Sequence, residues 1–306
     1  MKGGGIRGIA YTGALRVLEE KHITPGIEKV AGTSVGAIVG VMFALGYSAG
    51  EIETIMYQID IKTFNDGAWF FIGGQKRMRK KYGWYKGNRL ESWLGNLIQA
   101  RTGNENLTFL QLHQLSLKDK KYKDLYVTAT NLSKQRLEIF SWETYPNLPI
   151  KTAVRASASV PLYYGAVFID SAGNVANQPD ATERYNVFAD GGLVANYPIT
   201  IFNESGDSGI NQYTLGLKLD RPEQIRYYPN HTGLAPYRIG SFKNYLGALY
   251  NVTIEQITRS LPYDVEKKNT IYISNGNLSP KVRRITIAQK KALYENGKLG
   301  AEKFFR

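Results

Sequence analysis

The run "IEKVAGTSVGAIVGVMFALGY" (residues 27–47) constrains this chain more than any other stretch. Residues 27–31 read as a short buried strand and Val35–Leu45 as an apolar helix, with only Gly32-Thr33-Ser34 between them. A strand turns into a helix this abruptly only if small residues flank the bend, and Gly32 and Gly36 supply them around Ser34. Such a bend stands the serine oxygen over the amides of a helix N-terminus, where developing negative charge is favoured. In this setting the G-x-S-x-G marks Ser34 as a candidate nucleophile; the letters alone are a common coincidence in a chain with 31 glycines.

The rest of the chain alternates in the same way. Gly8–Lys21 has helical spacing stopped at Pro25, Ala49–Gln58 reads as a helix, and so does 88–101, with Asn88 as its N-cap. "LYVTATNL" (125–132) and "LEIFSW" (137–142) are strands joined by a polar turn, and Thr152–Ser159 is a short helix. "YNVFA" (185–189) is a strand running into Asp190-Gly191-Gly192. Two further strands lie at 213–219 and 269–275, and Ile287–Phe305 forms a final amphipathic helix. Alternation of this kind predicts an α/β sandwich around a mostly parallel central sheet. At 306 residues, with no internal repeat and with 173–184 and 203–212 reading as surface loops, one domain over 1–306 is expected.

A serine nucleophile needs a base, and histidine is the usual one. His22 ends a surface helix, His113 lies in an amphipathic "LQLHQL", and His231 sits in a polar, Pro-flanked loop. Ser34–Asp190–His231 has the chain order of an α/β-hydrolase triad, although no strand delivers His231 to a sheet edge. Asp190, at the end of an apolar strand, can instead accept the serine proton directly; the same Asp-Gly letters also make an ordinary turn. Cysteine is absent, which excludes a thiol nucleophile, thiolate metal sites and disulfides. Gly3, Gly5 and Gly8 match G-x-G-x-x-G, but no strand precedes them and no acidic residue ends the next strand. No Gly-Lys-Ser/Thr follows either, so nucleotide binding is poorly supported. Successive glycine amides leading into a helix suit an oxyanion hole better.

Gly3-Gly4-Gly5-Ile6-Arg7-Gly8, then Gly32-Thr33-Ser34-Val35-Gly36, then Asp190-Gly191-Gly192 together resemble the patatin-like phospholipase family in order and spacing. "LTFLQL" (107–112), "LYVTATNL", "AVRASASVPLYY" (153–164) and "DGGLVANYPI" (190–199) extend the likeness over roughly residues 3–200, with 201–306 completing the domain. The resemblance implies a three-layer α/β/α sandwich and hydrolysis of acyl esters in phospholipid or glycerolipid, with no cofactor or catalytic metal. It implies Ser34 as nucleophile, Asp190 as its base without a histidine, and the amides of Gly3, Gly4 and Gly5 as the oxyanion hole. Arg7 matches the family's basic loop residue and takes a structural or phosphate-facing role. The family also carries a buried strand before its glycines, where this sequence has only Met1 and Lys2, so a trimmed or partial chain is expected.

The formal charge of +13 favours a polyanionic partner. Between Gly67 and Leu90 there is no acid, while Lys76, Arg77, Arg79, Lys80 and Lys81 are interleaved with Trp69, Phe70, Phe71, Tyr82, Trp84 and Tyr85. Beside a lipase pattern this reads as an interfacial patch, with cations on anionic head groups and Trp84 at the boundary, rather than a nucleic-acid site. The plain alternative is a solvated face whose aromatics pack inward. The longest nearly apolar run, Val35–Tyr47, is too short to span a bilayer, and no signal peptide is evident. A cytoplasmic or peripheral membrane protein is expected, with no protein partner implied. A non-catalytic basic module binding lipid or nucleic acid is the competing class, and retention of both Ser34 and Asp190 argues against it.

Overall fold

A computed structural model describes residues 1–67, 72–176, 184–204, 209–231, 233–258, 261–278 and 285–306. A 3-10 turn over Gly5–Ile9 leads into α1 (Ala10–Glu20), and β1 (Lys29–Thr33) passes through Ser34 into α2 (Val35–Ala44). Next come α3 (Ala49–Gln58), α4 (Ile72–Lys81), β2 (Gly83–Tyr85), α5 (Asn88–Thr102) and α6 (Phe109–Lys118). The hairpin β3 (Asp124–Asn131) and β4 (Arg136–Phe140) is followed by α7 (Ile150–Ser157). Four short strands follow: β5 (Leu162–Tyr164), β6 (Val167–Ile169), β7 (Val175–Ala176) and β8 (Asn186–Asp190). The C-terminal third holds β9 (Gly216–Asp220), α8 (Pro222–Tyr227), α9 (Phe242–Thr258), α10 (Tyr263–Glu266), β10 (Thr270–Ser274) and α11 (Ile287–Phe304).

The central sheet has the order β1-β3-β8-β6-β7, with β4 also on β3. The expected mostly parallel arrangement is corrected here: among the described residues only β1–β3 is parallel in this sheet, and the β3–β4, β3–β8, β6–β8 and β6–β7 pairs are antiparallel. Parallel neighbours need a long crossover, whereas β4 follows β3 through a tight turn and β7 follows β6 through a short loop. The β9–β10 and β2–β5 pairs beside it are parallel.

One detail of this sheet positions the site. β4 lines one edge of β3 from Val127 to Asn131, so β1 and β8 must share the other. β1 runs along that edge until Thr33 faces Thr128, and β8 runs back along it until Asp190 faces Ala129. The two strands therefore end against each other.

The backbone ahead of the glycines bridges two strands, where the resemblance calls for a buried strand. Thr33 N–H donates to Met1 O at 3.2 Å and Lys2 N–H donates to Leu217 O at 3.1 Å, tying residues 1–3 between β1 and β9. Helix α2 is apolar all round and buried accordingly, packed with α7 against β1, β3 and β8. Helices α1 and α11 cross at Gly13 and Gly297, where a Cβ would meet the other helix's backbone. Asn88 does not cap α5. Gly87 occupies the cap position at φ +82, and the Asp66 carboxylate accepts the N–H groups of Gly87 (2.7 Å) and Arg89 (3.0 Å). Among the described residues no helix is long and apolar enough to cross a membrane.

Candidate active site

Ser34 stands between β1 and α2 at φ 53, ψ −120, a conformation that a non-glycine residue adopts only under constraint. The constraint comes from its neighbours. A Cβ on Gly32 would overlap the Gly36 carbonyl, and one on Gly36 would overlap the carbonyls of Met1 and Lys2. The two glycines thus let β1 fold back on α2 and let the N-terminal residues lie against that helix. The Ser34 N–H donates to Ser157 Oγ of α7 at 2.8 Å, which holds the elbow from the other side. The side chain itself is half-buried.

Ser34 Oγ donates to Asp190 Oδ2 at 2.8 Å, and Gly192 N–H donates to Asp190 Oδ1 at 2.8 Å. Burial pushes the Asp190 carboxyl up from 3.8 to about 6, against the opposing pull of the bonds from Gly192 and Ser34. Its backbone is fixed as well: Asp190 N–H donates to Ser159 O at 2.9 Å, and Thr130 Oγ1 donates to Asp190 O at 2.8 Å. A Cβ on Gly191 would crowd Thr128 O, so the Asp-Gly-Gly sequence is what lets the chain turn over β3 with the carboxylate aimed at Ser34. Ser157, Ser159 and Asn196 were not singled out from sequence, although they lie inside "AVRASASVPLYY" and "DGGLVANYPI".

The glycine loop departs from expectation at one position. Gly3 N–H donates to Asn196 O at 2.9 Å, because residues 1–3 are pinned as an extended bridge, so that amide is occupied. This leaves Gly4 and Gly5 as the candidate donors. Gly5, at φ +59, opens the 3-10 turn, and Arg7 Nε donates to Gly4 O at 2.8 Å, bracing the loop from behind. Of the two roles expected for Arg7, this contact is the structural one.

The histidines lie elsewhere. His22 is exposed beyond α1, and His113 Nδ1 lies 2.9 Å from Asp124 Oδ1 with its ring stacked on Trp142. His231 is exposed and stacks on Tyr227, while both Asp190 oxygens are taken by Ser34 and Gly192, so a Ser34–Asp190–His231 triad is not assembled. The basic segment divides. Lys76, Arg79 and Lys80 are exposed on α4, but Arg77 Nε donates to Trp84 O at 2.8 Å and Trp84 covers Gly74. Lys81 is half-buried, and burial with Arg155 and Lys86 nearby lowers its pKa. Trp69, Phe70 and Phe71 lie outside the described residues. Among the described residues no His, Cys, Asp and Glu side chains group as metal ligands.

The patatin-like phospholipase family matches residues 1–203, and the chain belongs to that family. The protein R571 of Acanthamoeba polyphaga mimivirus is 33% identical over 211 residues, which are 69% of this chain and 62% of that protein's length. YqhO of Bacillus subtilis is 26% identical over 99% of this chain and 96% of its own length. Among solved structures, VipD from Legionella pneumophila superposes with a TM-score of 0.61 at 18% identity, covering 99% of this chain and 65% of VipD. That likeness is one of fold, and it takes in the C-terminal strands and helices beyond residue 203.

Proposed function

We propose that this protein is a serine acyl hydrolase of phospholipid or glycerolipid esters, working through a Ser34–Asp190 dyad. The observation that carries the reading is the 2.8 Å bond from the constrained Ser34 Oγ to the buried carboxylate of Asp190. A carboxyl titrating near 6 is mostly ionised at neutral pH, yet more basic than an exposed aspartate, which suits a general base.

In the first step Asp190 accepts the Ser34 proton as Oγ attacks the ester carbonyl carbon. The oxyanion is received by the Gly4 and Gly5 amides, with the N-terminus of α2 adding its dipole. As the carbonyl re-forms, the alcohol or lysolipid leaves with the proton from Asp190. A water molecule then gives a proton to the same carboxylate and attacks the acyl-enzyme, and Ser34 departs reprotonated with release of fatty acid. Membership of the phospholipase family supports lipid as the substrate class, and the bonds from residues 1–3 to β9 and to Glu255 of α9 support one domain over 1–306 as the unit that carries the activity.

A panel of phospholipids, lysolipids, galactolipids and neutral glycerides assayed for fatty-acid release tests this, with Ser34→Ala as the blank. Release from at least one class, absent in the blank, is expected. Equal release by native and Ser34→Ala protein would overturn the reading.

A further inference from the structure

Helix α9 turns its apolar side outward. Phe242, Tyr245, Leu249 and Val252 follow at spacings of three, four and three, a single stripe along the helix, and are 76%, 51%, 54% and 55% exposed. Ile254, on the opposite side, is buried, and so is Ala248, which borders the stripe beside Tyr245 and Val252. Ahead of the helix, Ile239 is also exposed, and Tyr237 packs against Gly247 while lying 4.8 Å over the Arg221 guanidinium. Scattered apolar residues on a surface need no explanation, but a continuous stripe does.

A cationic hollow adjoins the N-terminal end of this stripe. Arg226, Arg238 and His231 line a cavity of about 580 Å³ together with Tyr227 and Glu223. Its one carboxylate, Glu223, lies 3.7 Å from Arg226, and Arg238 is exposed.

The same helix is fastened to both halves of the catalytic machinery. It packs on the turn Gly191–Leu193 that follows Asp190. Near its C-terminal end, both Glu255 oxygens accept from Lys2 Nζ, at 2.8 and 2.6 Å, directly before Gly3.

Resting on the acyl-hydrolase reading, we propose that residues 237–252 form a face that docks on a bilayer carrying anionic phospholipid. The apolar stripe enters the interface, and the hollow of Arg226 and Arg238 receives an anionic head group. Charge selects this occupant over a second copy of the chain. A net charge of +13 and a basic hollow are attracted to an anionic surface and repel their own duplicates. These residues differ from those of α4, where the sequence pattern puts the lipid contact.

The test uses the full chain with Ser34→Ala, so that binding is read without turnover. It is sedimented with phosphatidylcholine vesicles with and without phosphatidylglycerol. Binding is expected to need phosphatidylglycerol and to weaken with salt. Adding Phe242→Asp and Leu249→Asp should lower it by about tenfold or more with the Tm unchanged, since both side chains face solvent. Arg226→Glu with Arg238→Glu should remove the preference for phosphatidylglycerol. With Ser34 restored, the Phe242→Asp/Leu249→Asp protein should lose about tenfold or more on vesicle lipid but none on a monomeric short-chain ester. Undiminished vesicle binding by that variant overturns the proposal. So does a solution dimer that it dissociates while vesicle binding persists. If the Ser34→Ala protein docks through α9 but the native protein releases no fatty acid from any lipid, the docking face stands and the hydrolase reading falls.

Discussion

Thr33 and Asp190 occupy successive positions on the same edge of β3, Thr33 opposite Thr128 and Asp190 opposite Ala129. The residue that follows one strand and the last residue of the other are thereby forced together, although Ser34 and Asp190 are 156 positions apart in sequence. The dyad is a property of sheet register. A shift of either strand by one residue would turn its side chains to the other face of the sheet.

Removal of either dyad member should cost far more than removal of any histidine. Ser34→Ala is expected to abolish ester hydrolysis, and Asp190→Asn to lower kcat by about 10²–10⁴-fold, the usual contribution of a positioned base. His231→Ala should leave kcat within about twofold of native, because its ring rests on Tyr227. Steady-state kinetics on one soluble ester compares all three.

Acid should silence the enzyme through Asp190. Its carboxyl titrates near 6, so the rate should fall as pH drops through that value and the base is protonated. Stability moves oppositely. Between the ordinary value of 3.8 and about 6 the folded chain holds a proton that the unfolded chain has released, so stability declines as pH rises through that window. Above it the buried charge costs about 3 kcal/mol, and Asp190→Asn should recover part of this at pH 8 but little at pH 4. Urea unfolding of both proteins at the two pH values measures the difference.

Gly36→Ala should damage the site from a distance. The added methyl would meet the Met1 and Lys2 carbonyls and push the glycine loop away from α2. A loss of about 1–3 kcal/mol is expected from overpacking, together with a fall in kcat larger than the change in KM. Gly40→Ala, in the same helix but with only side chains nearby, provides the control and should be milder on both measures.

Lys2 is buried to 1% exposure, bonded to Glu255 and 3.8 Å from Asp220. Lys2→Ala leaves Glu255 without its bonded cation and takes one of two nearby cations from Asp220, beside which Lys218 remains, and should destabilise the fold by about 3–5 kcal/mol. Glu255→Gln keeps a hydrogen-bond acceptor and should cost less. Differential scanning calorimetry ranks the two.

Much of this was readable in the residues, and the remainder is missing for physical reasons. The elements around Ser34 and Asp190 follow from apolar periodicity and from glycine at sharp bends, both local properties; Ala49–Gln58 matches to the residue. Sheet direction is not local. Whether β8 meets β3 parallel or antiparallel depends on loop lengths and on which edge β4 leaves open, so a mixed sheet was read as mostly parallel. Hydrogen-bond partners distant in sequence were equally hidden. Asn196 taking the Gly3 amide and Asp66 capping α5 in place of Asn88 leave no trace in spacing. The apolar stripe of α9 has ordinary helical spacing, and the pattern alone does not say which side faces water.

A fluorophosphonate probe tests the central claim most directly, because it reacts only with a serine that its surroundings have made nucleophilic. Intact mass and peptide mapping of the folded protein should find one adduct, on Ser34, absent from Ser34→Ala and formed much more slowly in Asp190→Asn. No adduct on well-folded native protein, or an adduct on another serine that survives Ser34→Ala, would contradict the dyad.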